Sequence, residues 1–155
     1  MLKFGFLVIV QPRNSLFFNQ ELNSWDVSKV ENMSGMFKYA YNFNRDLNSW
    51  DVSKVENMRE MFNGASNFDR SIGSWDVSNV EDMQAMFNGA SDFNQAIGSW
   101  EVGNVSNMGG MFRDALSFDE DISGWCVTNI TSEPTEFSLN APLSNADKPV
   151  WGTCP

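Results

Sequence analysis

The stretch WDVSKVENMSGMFKYAYNFN, residues Trp25–Asn44, decides how this chain can fold. Its first nine letters return unchanged at Trp50–Met58, and a tryptophan recurs every 25 residues. The recurring positions are Trp25, Trp50, Trp75, Trp100 and Trp125. Self-similarity at a fixed period of roughly 20–50 residues is typical of proteins whose repeats stack and bury a shared core. The sequence therefore predicts a stack of 25-residue coils, a solenoid.

The first part of each unit has the hydrophobic period of a strand. Trp25 and Val27 alternate with the polar Asp26 and Ser28, so the two pairs should point in opposite directions. Aligned tryptophans could serve as a platform for sugar rings. Because Trp25 shares its face with Val27, however, the sequence favours a buried tryptophan column.

The second part of each unit has the hydrophobic spacing of a helix. Met33, Met36, Phe37 and Ala40 stand at i, i+3, i+4 and i+7, and Asn32 precedes them as a candidate N-cap. The predicted fold class is therefore α/β. It consists of about five 25-residue coils, each a strand and a short helix, with irregular terminal caps.

Three regions follow from the repeat. Residues 1–16 are predicted to be an N-terminal cap or a signal remnant, residues 17–130 the repeats, and residues 131–155 a C-terminal cap. The apolar run Phe4–Val10 is far shorter than the roughly 20 residues that span a bilayer, so no transmembrane segment is expected. Pro134, Pro142 and Pro149 exclude a continued helical pattern at the other end.

Composition excludes several classes of function. Twenty acidic residues against ten basic ones give a net charge of −10, which argues against nucleic-acid binding. The chain has no histidine, the commonest general base at neutral pH. Each acidic candidate recurs from unit to unit, whereas an active site needs one distinguished constellation. We therefore expect neither an enzyme nor a cofactor.

The only two cysteines lie near the C-terminus, at Cys126 and Cys154. If VWGTC packs beside WCV as a last short strand, the two thiols come close enough to bond. The closed loop of about 28 residues would then stabilise the end of the stack by roughly 3–4 kcal/mol. Two reduced thiols are the alternative.

The pattern W-D-V-S-x-V-x-N-M-x-x-M-F-x-x-A-x-x-F-N, as it stands from Trp25 to Asn44, resembles the repeat of the BspA-like leucine-rich-repeat surface proteins, which are also abundant as mycoplasma surface lipoproteins. The resemblance covers about residues 17–130. It implies a leucine-rich-repeat-like solenoid on a secreted or cell-surface protein, with adhesion or protein binding as the usual role.

An acidic column along the outward strand positions is the candidate binding site. Its residues are Asp26, Ser28, Asp51, Ser53, Asp76, Ser78 and Glu101. Two interpretations stay open: each Asp bonds its own D-x-S turn, or the acids form a surface for a basic ligand. A protein partner, basic or from an extracellular matrix, suits the second interpretation. The chain itself is expected to be a monomer or part of a longer array.

Two further polar groups have a mainly structural interpretation. The residues Asn19, Asn44, Asp69, Asn94 and Asp119 recur after each late phenylalanine, and they predict a ladder that satisfies backbone N–H groups. The run Asp119, Glu120, Asp121 could hold Ca²⁺, although no EF-hand spacing surrounds it. The sequence thus predicts a binding module, with a structural spacer or a calcium-binding solenoid as alternatives.

Overall fold

A computed structural model describes residues 18–155, so the cap or signal remnant predicted for residues 1–16 lies outside the described part. Residues 18–155 contain no helix and no extended strand. Three isolated parallel bridges, Asn32–Asn57, Asn57–Asp82 and Asp82–Asn107, are their only regular pairings. No described segment is a helix of the length and hydropathy that a membrane crossing requires. The prediction of an α/β leucine-rich-repeat solenoid is therefore wrong.

The chain instead winds in irregular coils that stack at the predicted 25-residue period. We number them coil 1 (25–49), coil 2 (50–74), coil 3 (75–99), coil 4 (100–124) and coil 5 (125–142). Equivalent phenylalanine rings lie one above another, with centroids 5.7 Å apart both from Phe62 to Phe87 and from Phe87 to Phe112. The stack is thus real, but turns rather than helices and strands build it.

The helix predicted at Met33–Ala40 is a series of tight turns. Backbone N–H groups of Met36, Lys38 and Ala40 donate to carbonyls three residues earlier, Met33, Gly35 and Phe37. These i to i+3 bonds repeat every second residue, which an α-helix does not do.

The intervening N–H groups leave the coil and bind the next one. Gly35 N–H donates to Arg59 O at 2.8 Å, and Phe37 N–H donates to Met61 O at 2.8 Å. A hydrophobic spacing of i, i+3, i+4 and i+7 therefore arises here from alternating turn bonds and coil-to-coil bonds. We call this arrangement the turn ladder.

Left-handed backbone makes the turn ladder possible. One column of positive φ angles runs through Gly35 (65°), Glu60 (56°), Ala85 (54°) and Gly110 (60°). A second column includes Gly64 at 71° and Gly89 at 70°, the two glycines at the end of the stripe. Two such residues per coil interrupt any right-handed helix, since αL residues reverse the local winding.

The predicted strand and cap are also replaced by turns. Trp50 and Val52 are buried and Asp51 is exposed, as the alternation predicts, yet no ladder of strand hydrogen bonds connects these residues to their neighbours within 18–155. Asn32 is not a helix cap, because its Oδ1 accepts the N–H of Ser34 at 2.8 Å in a short Asx turn. The predicted direction of each side chain is right, whereas the element around it is not.

The predicted core is confirmed. Trp50, Trp75, Trp100 and Trp125 are each no more than 4% exposed. Their indole N–H groups are satisfied by carbonyls of the preceding coil, as in the 3.1 Å bond from Trp75 to Leu47 O. The methionines of coils 2 to 4 are fully buried, so they fill the core as expected. This stacked core positions every outward column.

The C-terminal end is fastened as the cysteines predict. Cys126 and Cys154 form a disulfide, with their Cα atoms 4.0 Å apart. Val127 N–H donates to Thr153 O at 2.8 Å, so VWGTC does lie beside WCV, although neither segment is a strand.

Candidate functional site

The candidate acidic column is built from Asp–Ser turns that repeat in coils 1 to 3. In coil 2, Asp51 Oδ1 accepts the Ser53 hydroxyl at 2.6 Å and the Ser53 backbone N–H at 3.1 Å. Coil 1 repeats the pair with Asp26 and Ser28, and coil 3 with Asp76 and Ser78. The interpretation that each aspartate bonds its own turn is therefore confirmed.

The same turns leave one carboxylate oxygen of each aspartate available. Both serine bonds go to Oδ1, and no donor from residues 18–155 reaches the Oδ2 of Asp26, Asp51 or Asp76. All three aspartates are exposed. The column thus presents one solvent-facing oxygen per coil.

Hydrogen bonds also keep these aspartates ionised. The Ser53 hydroxyl, and then the Ser53 backbone N–H, lower the pKa of Asp51 below its ordinary value of about 3.8, because both donate to the charged form. The pKa values of Asp26 and Asp76 are lowered in the same way by Ser28 and Ser78. Repulsion from the neighbouring aspartate opposes the lowering at Asp51 and Asp76. The carboxylates are therefore close enough to affect one another.

The column changes in coil 4. Glu101 replaces aspartate and Gly103 replaces serine, so the side-chain part of the turn is lost there. Glu101 is exposed and in the predicted column, but it is not held as the three aspartates are.

The lysines beside the column also give way to asparagine, with a structural gain. Lys29 and Lys54 help to lower the pKa values of Asp26 and Asp51. Asn79, their counterpart in coil 3, donates its side-chain N–H to Ser53 O at 2.7 Å. Asn104 and Asn129 make the same bond to the coil before them. The change from lysine to asparagine thus exchanges a surface charge for a coil-to-coil bond.

Sequence reasoning missed a second set of acids in the repeated nonapeptide. Glu31, Glu56 and Glu81 are exposed, and they lie in register because Glu56 N–H donates to Glu31 O and Glu81 N–H donates to Glu56 O. In each coil the glutamate follows the Asp–Ser turn by three residues. The signal was their recurrence at the 25-residue period, which they share with Asp26, Asp51 and Asp76.

The Asn-type ladder is confirmed as internal. Asn19 Oδ1 accepts the N–H of Asn44 at 3.1 Å, and Asn44 Oδ1 accepts the N–H of Asp69 at 3.2 Å. The series continues through Asn94 to Asp119. These side chains stabilise the stack, and their acceptor atoms are not free for a ligand.

The acidic run at Asp119–Asp121 does not form a metal site. Asp119 Oδ1 accepts the side-chain N–H of Asn94 at 2.9 Å, and Asp121 Oδ1 accepts the N–H of Ser123 at 2.9 Å. Within residues 18–155, no three His, Cys, Asp or Glu side chains converge as metal ligands would. The calcium alternative therefore has no support from this geometry.

Comparison with known proteins places the chain in one family. No curated protein and no solved structure matches it significantly. The family described as "Mycoplasma protein of unknown function, DUF285" matches two overlapping segments, residues 13–88 and 47–151. Each segment spans several of the 25-residue coils, and together they cover most of the chain. The protein therefore belongs to the DUF285 family.

Proposed function

We propose that this protein is a non-enzymatic repeat module, secreted or displayed at a cell surface, that binds a basic segment of another protein through its acidic column. The observation that carries the proposal is the row of Asp26, Asp51 and Asp76. Each is exposed, each keeps Oδ2 unbonded within residues 18–155, and each has a lowered pKa. Ionised oxygens in register suit lysine and arginine side chains.

The surrounding charge supports the same partner. Glu31, Glu56 and Glu81 add a second exposed row of acids beside the aspartates. Coil 3 has no lysine in the column, because Asn79 stands where coils 1 and 2 have Lys29 and Lys54. We therefore place the strongest contact for a cation at Asp76 and Glu81.

The surface location is supported by two observations. The disulfide Cys126–Cys154 is typical of oxidising compartments. The resemblance of the repeat motif to BspA-like surface proteins points the same way, although the leucine-rich-repeat fold does not carry over.

A spacer without a ligand is the second candidate. It is favoured by the satisfaction of Oδ1 in every Asp–Ser turn and by the internal Asn-type ladder, since both show polar columns that serve the fold.

Binding of a lysine- and arginine-rich peptide separates the two candidates. We expect saturable binding that weakens with salt, and a loss of about tenfold or more in affinity for Asp51→Asn with Asp76→Asn. The control, Asp92→Asn with Glu120→Gln, removes the same charge outside the column. Equal losses in both double variants would indicate nonspecific attraction to net charge, and no saturable binding would favour the spacer.

A further inference from the structure

The last segment of the chain begins a sixth coil but does not complete it. We call residues 143–155 the C-terminal half-coil. Leu143 falls one period after Phe118, and Trp151 packs edge-on against Phe137 with ring centroids 5.0 Å apart. Asp147 O accepts the N–H of Ile122 at 2.9 Å. The half-coil therefore covers the first part of coil 5 and is fastened there by Cys154.

The rest of coil 5 exposes a row of backbone donors. The turn ladder continues in coil 5, because Phe137 N–H donates to Pro134 O and Leu139 N–H donates to Glu136 O. By the same alternation, the N–H groups of Glu136, Ser138 and Asn140 are those that bind a following coil. No carbonyl within residues 18–155 accepts them. The C-terminal end thus has three unused donors.

The N-terminal end of the described stack has the matching acceptors. In coil 2 the carbonyls of Arg59, Met61 and Asn63 accept N–H groups from coil 1. Their counterparts in coil 1 are the carbonyls of Ser34, Met36 and Lys38, and no N–H group of residues 18–155 reaches them.

Apolar side chains are also less covered at this end. Trp25 is 39% exposed, whereas Trp50, Trp75 and Trp100 are at most 4% exposed. Val30 and Met36 are half-buried, while the equivalent side chains in coils 2 to 4 are fully buried. This end therefore has the surface of a coil that lacks its neighbour.

We propose that the N-terminal end of one copy docks on the C-terminal end of another, and that the disulfide-fastened half-coil blocks this contact. In the docked state Glu136, Ser138 and Asn140 donate to Ser34, Met36 and Lys38 of the second copy. These pairs repeat the bonds between coils 1 and 2.

The half-coil stands where the second copy must lie. Leu143 and Trp151 hold the positions in the stack that correspond to Phe18 and Trp25 of an incoming copy. Docking therefore requires residues 143–155 to move away, and the bond between Cys126 and Cys154 opposes that movement.

A dithiol reductant removes the block. It supplies two electrons and two protons, the S–S bond breaks, Cys126 and Cys154 become thiols, and the reductant becomes a cyclic disulfide. The resulting contact joins two different surfaces, so association is open-ended rather than limited to a dimer.

Sedimentation of the full chain at increasing concentration tests the proposal. The oxidised protein should stay at its monomer mass of 17.5 kDa. The Cys126→Ser, Cys154→Ser variant and the dithiothreitol-reduced protein should both form a series of growing species. Oxidised wild-type protein has a free N-terminal end and a blocked C-terminal end, so adding it to the double variant should shorten the series.

Met36→Lys in the double variant checks the register of the contact, because it places a charge only at the N-terminal end. We expect it to abolish association, whereas Ser71→Lys, an equal change of charge on an exposed position of coil 2, should leave association intact. A monomeric double variant, growth that stops at the dimer, or association that persists with Met36→Lys would each overturn the proposal.

Discussion

Trp25 and Trp125 occupy the same position at opposite ends of the stack, yet their surroundings differ. Trp125 is 1% exposed, and its indole N–H donates to Ile97 O at 3.1 Å. Trp25 is 39% exposed, and its indole N–H has no acceptor within residues 18–155. A residue of this repeat is therefore stabilised by the coil before it, so identical residues contribute differently along the chain.

The largest expected effect follows directly from this comparison. Trp100→Ala removes a buried ring and should lower the free energy of unfolding by about 3–5 kcal/mol. Trp25→Ala should cost less than about half as much, because the ring already contacts water. Urea unfolding of the two variants measures the difference. Equal losses would mean that the N-terminal end is as tightly packed as the interior.

The second prediction concerns the fastening of the C-terminal end. Replacing both cysteines by serine should lower the free energy of unfolding by roughly 3–4 kcal/mol. Hydrogen exchange should accelerate most at the N–H groups of Ile122 and Val127, which bind the half-coil, and least at Phe62 in the interior. Uniform acceleration would contradict the assignment of the disulfide's effect to this end.

The left-handed positions offer a smaller, two-sided prediction. Ala85 has φ of 54° and Gly89 has φ of 70° within the same turn ladder. Because αL costs an L-residue roughly 1–2 kcal/mol, Ala85→Gly should stabilise the protein and Gly89→Ala should destabilise it by about 1 kcal/mol each. The added Cβ at position 89 would meet Gly64 Cα at an ordinary 3.6 Å, so steric overlap does not confuse the result. Thermal melts that move in the same direction for both changes would refute this explanation.

The smallest effect lies in the acidic column. Ser53→Ala removes the main cause of the lowered pKa of Asp51, so this pKa should rise towards about 3.8 in an NMR titration of the carboxyl carbon. The serine bond stabilises the folded state fully above the unfolded pKa, and this contribution disappears as the pH falls through the folded value. The variant should therefore differ from wild type at neutral pH and converge with it in acid.

Ser99→Ala, at an exposed serine outside the Asp–Ser turns, is the matched control. It should leave the titration of Asp51 unchanged. A shift of equal size in both variants would assign the lowered pKa to something other than the Ser53 bond.

Burial could be predicted from the sequence, whereas backbone conformation could not. The columns of Trp50, Met58 and Phe62 were placed correctly because any stack with a fixed period buries its recurring apolar residues. The helix at Met33–Ala40 was wrong because turns bonded at i+3 reproduce helical hydrophobic spacing. The alternation of donors between Met36 and Phe37 depends on a neighbouring coil, which no local pattern contains.

The candidate site shows the same division. The turn of Asp51 and Ser53 is a contact two residues long and could be anticipated, as could the ladder through Asn44. The coil-to-coil bond of Asn79 could not be anticipated, because it joins residues 26 positions apart along the sequence. Nothing in the D-x-S pattern alone distinguishes a binding surface from a structural turn.

The alternation of N–H directions in the turn ladder limits how the chain can change in length. Donor and acceptor are 24 residues apart from coil 1 to coil 4, as in Met83 to Asn107, and 25 apart from Gly110 to Thr135. At that extra residue, the N–H of Met108 has no acceptor within residues 18–155. One inserted residue exchanges the groups that bind within a coil for those that bind its neighbour, while a whole added coil preserves both. The array can therefore grow or shrink in units of 25 residues with less damage than a single insertion in the ladder would cause.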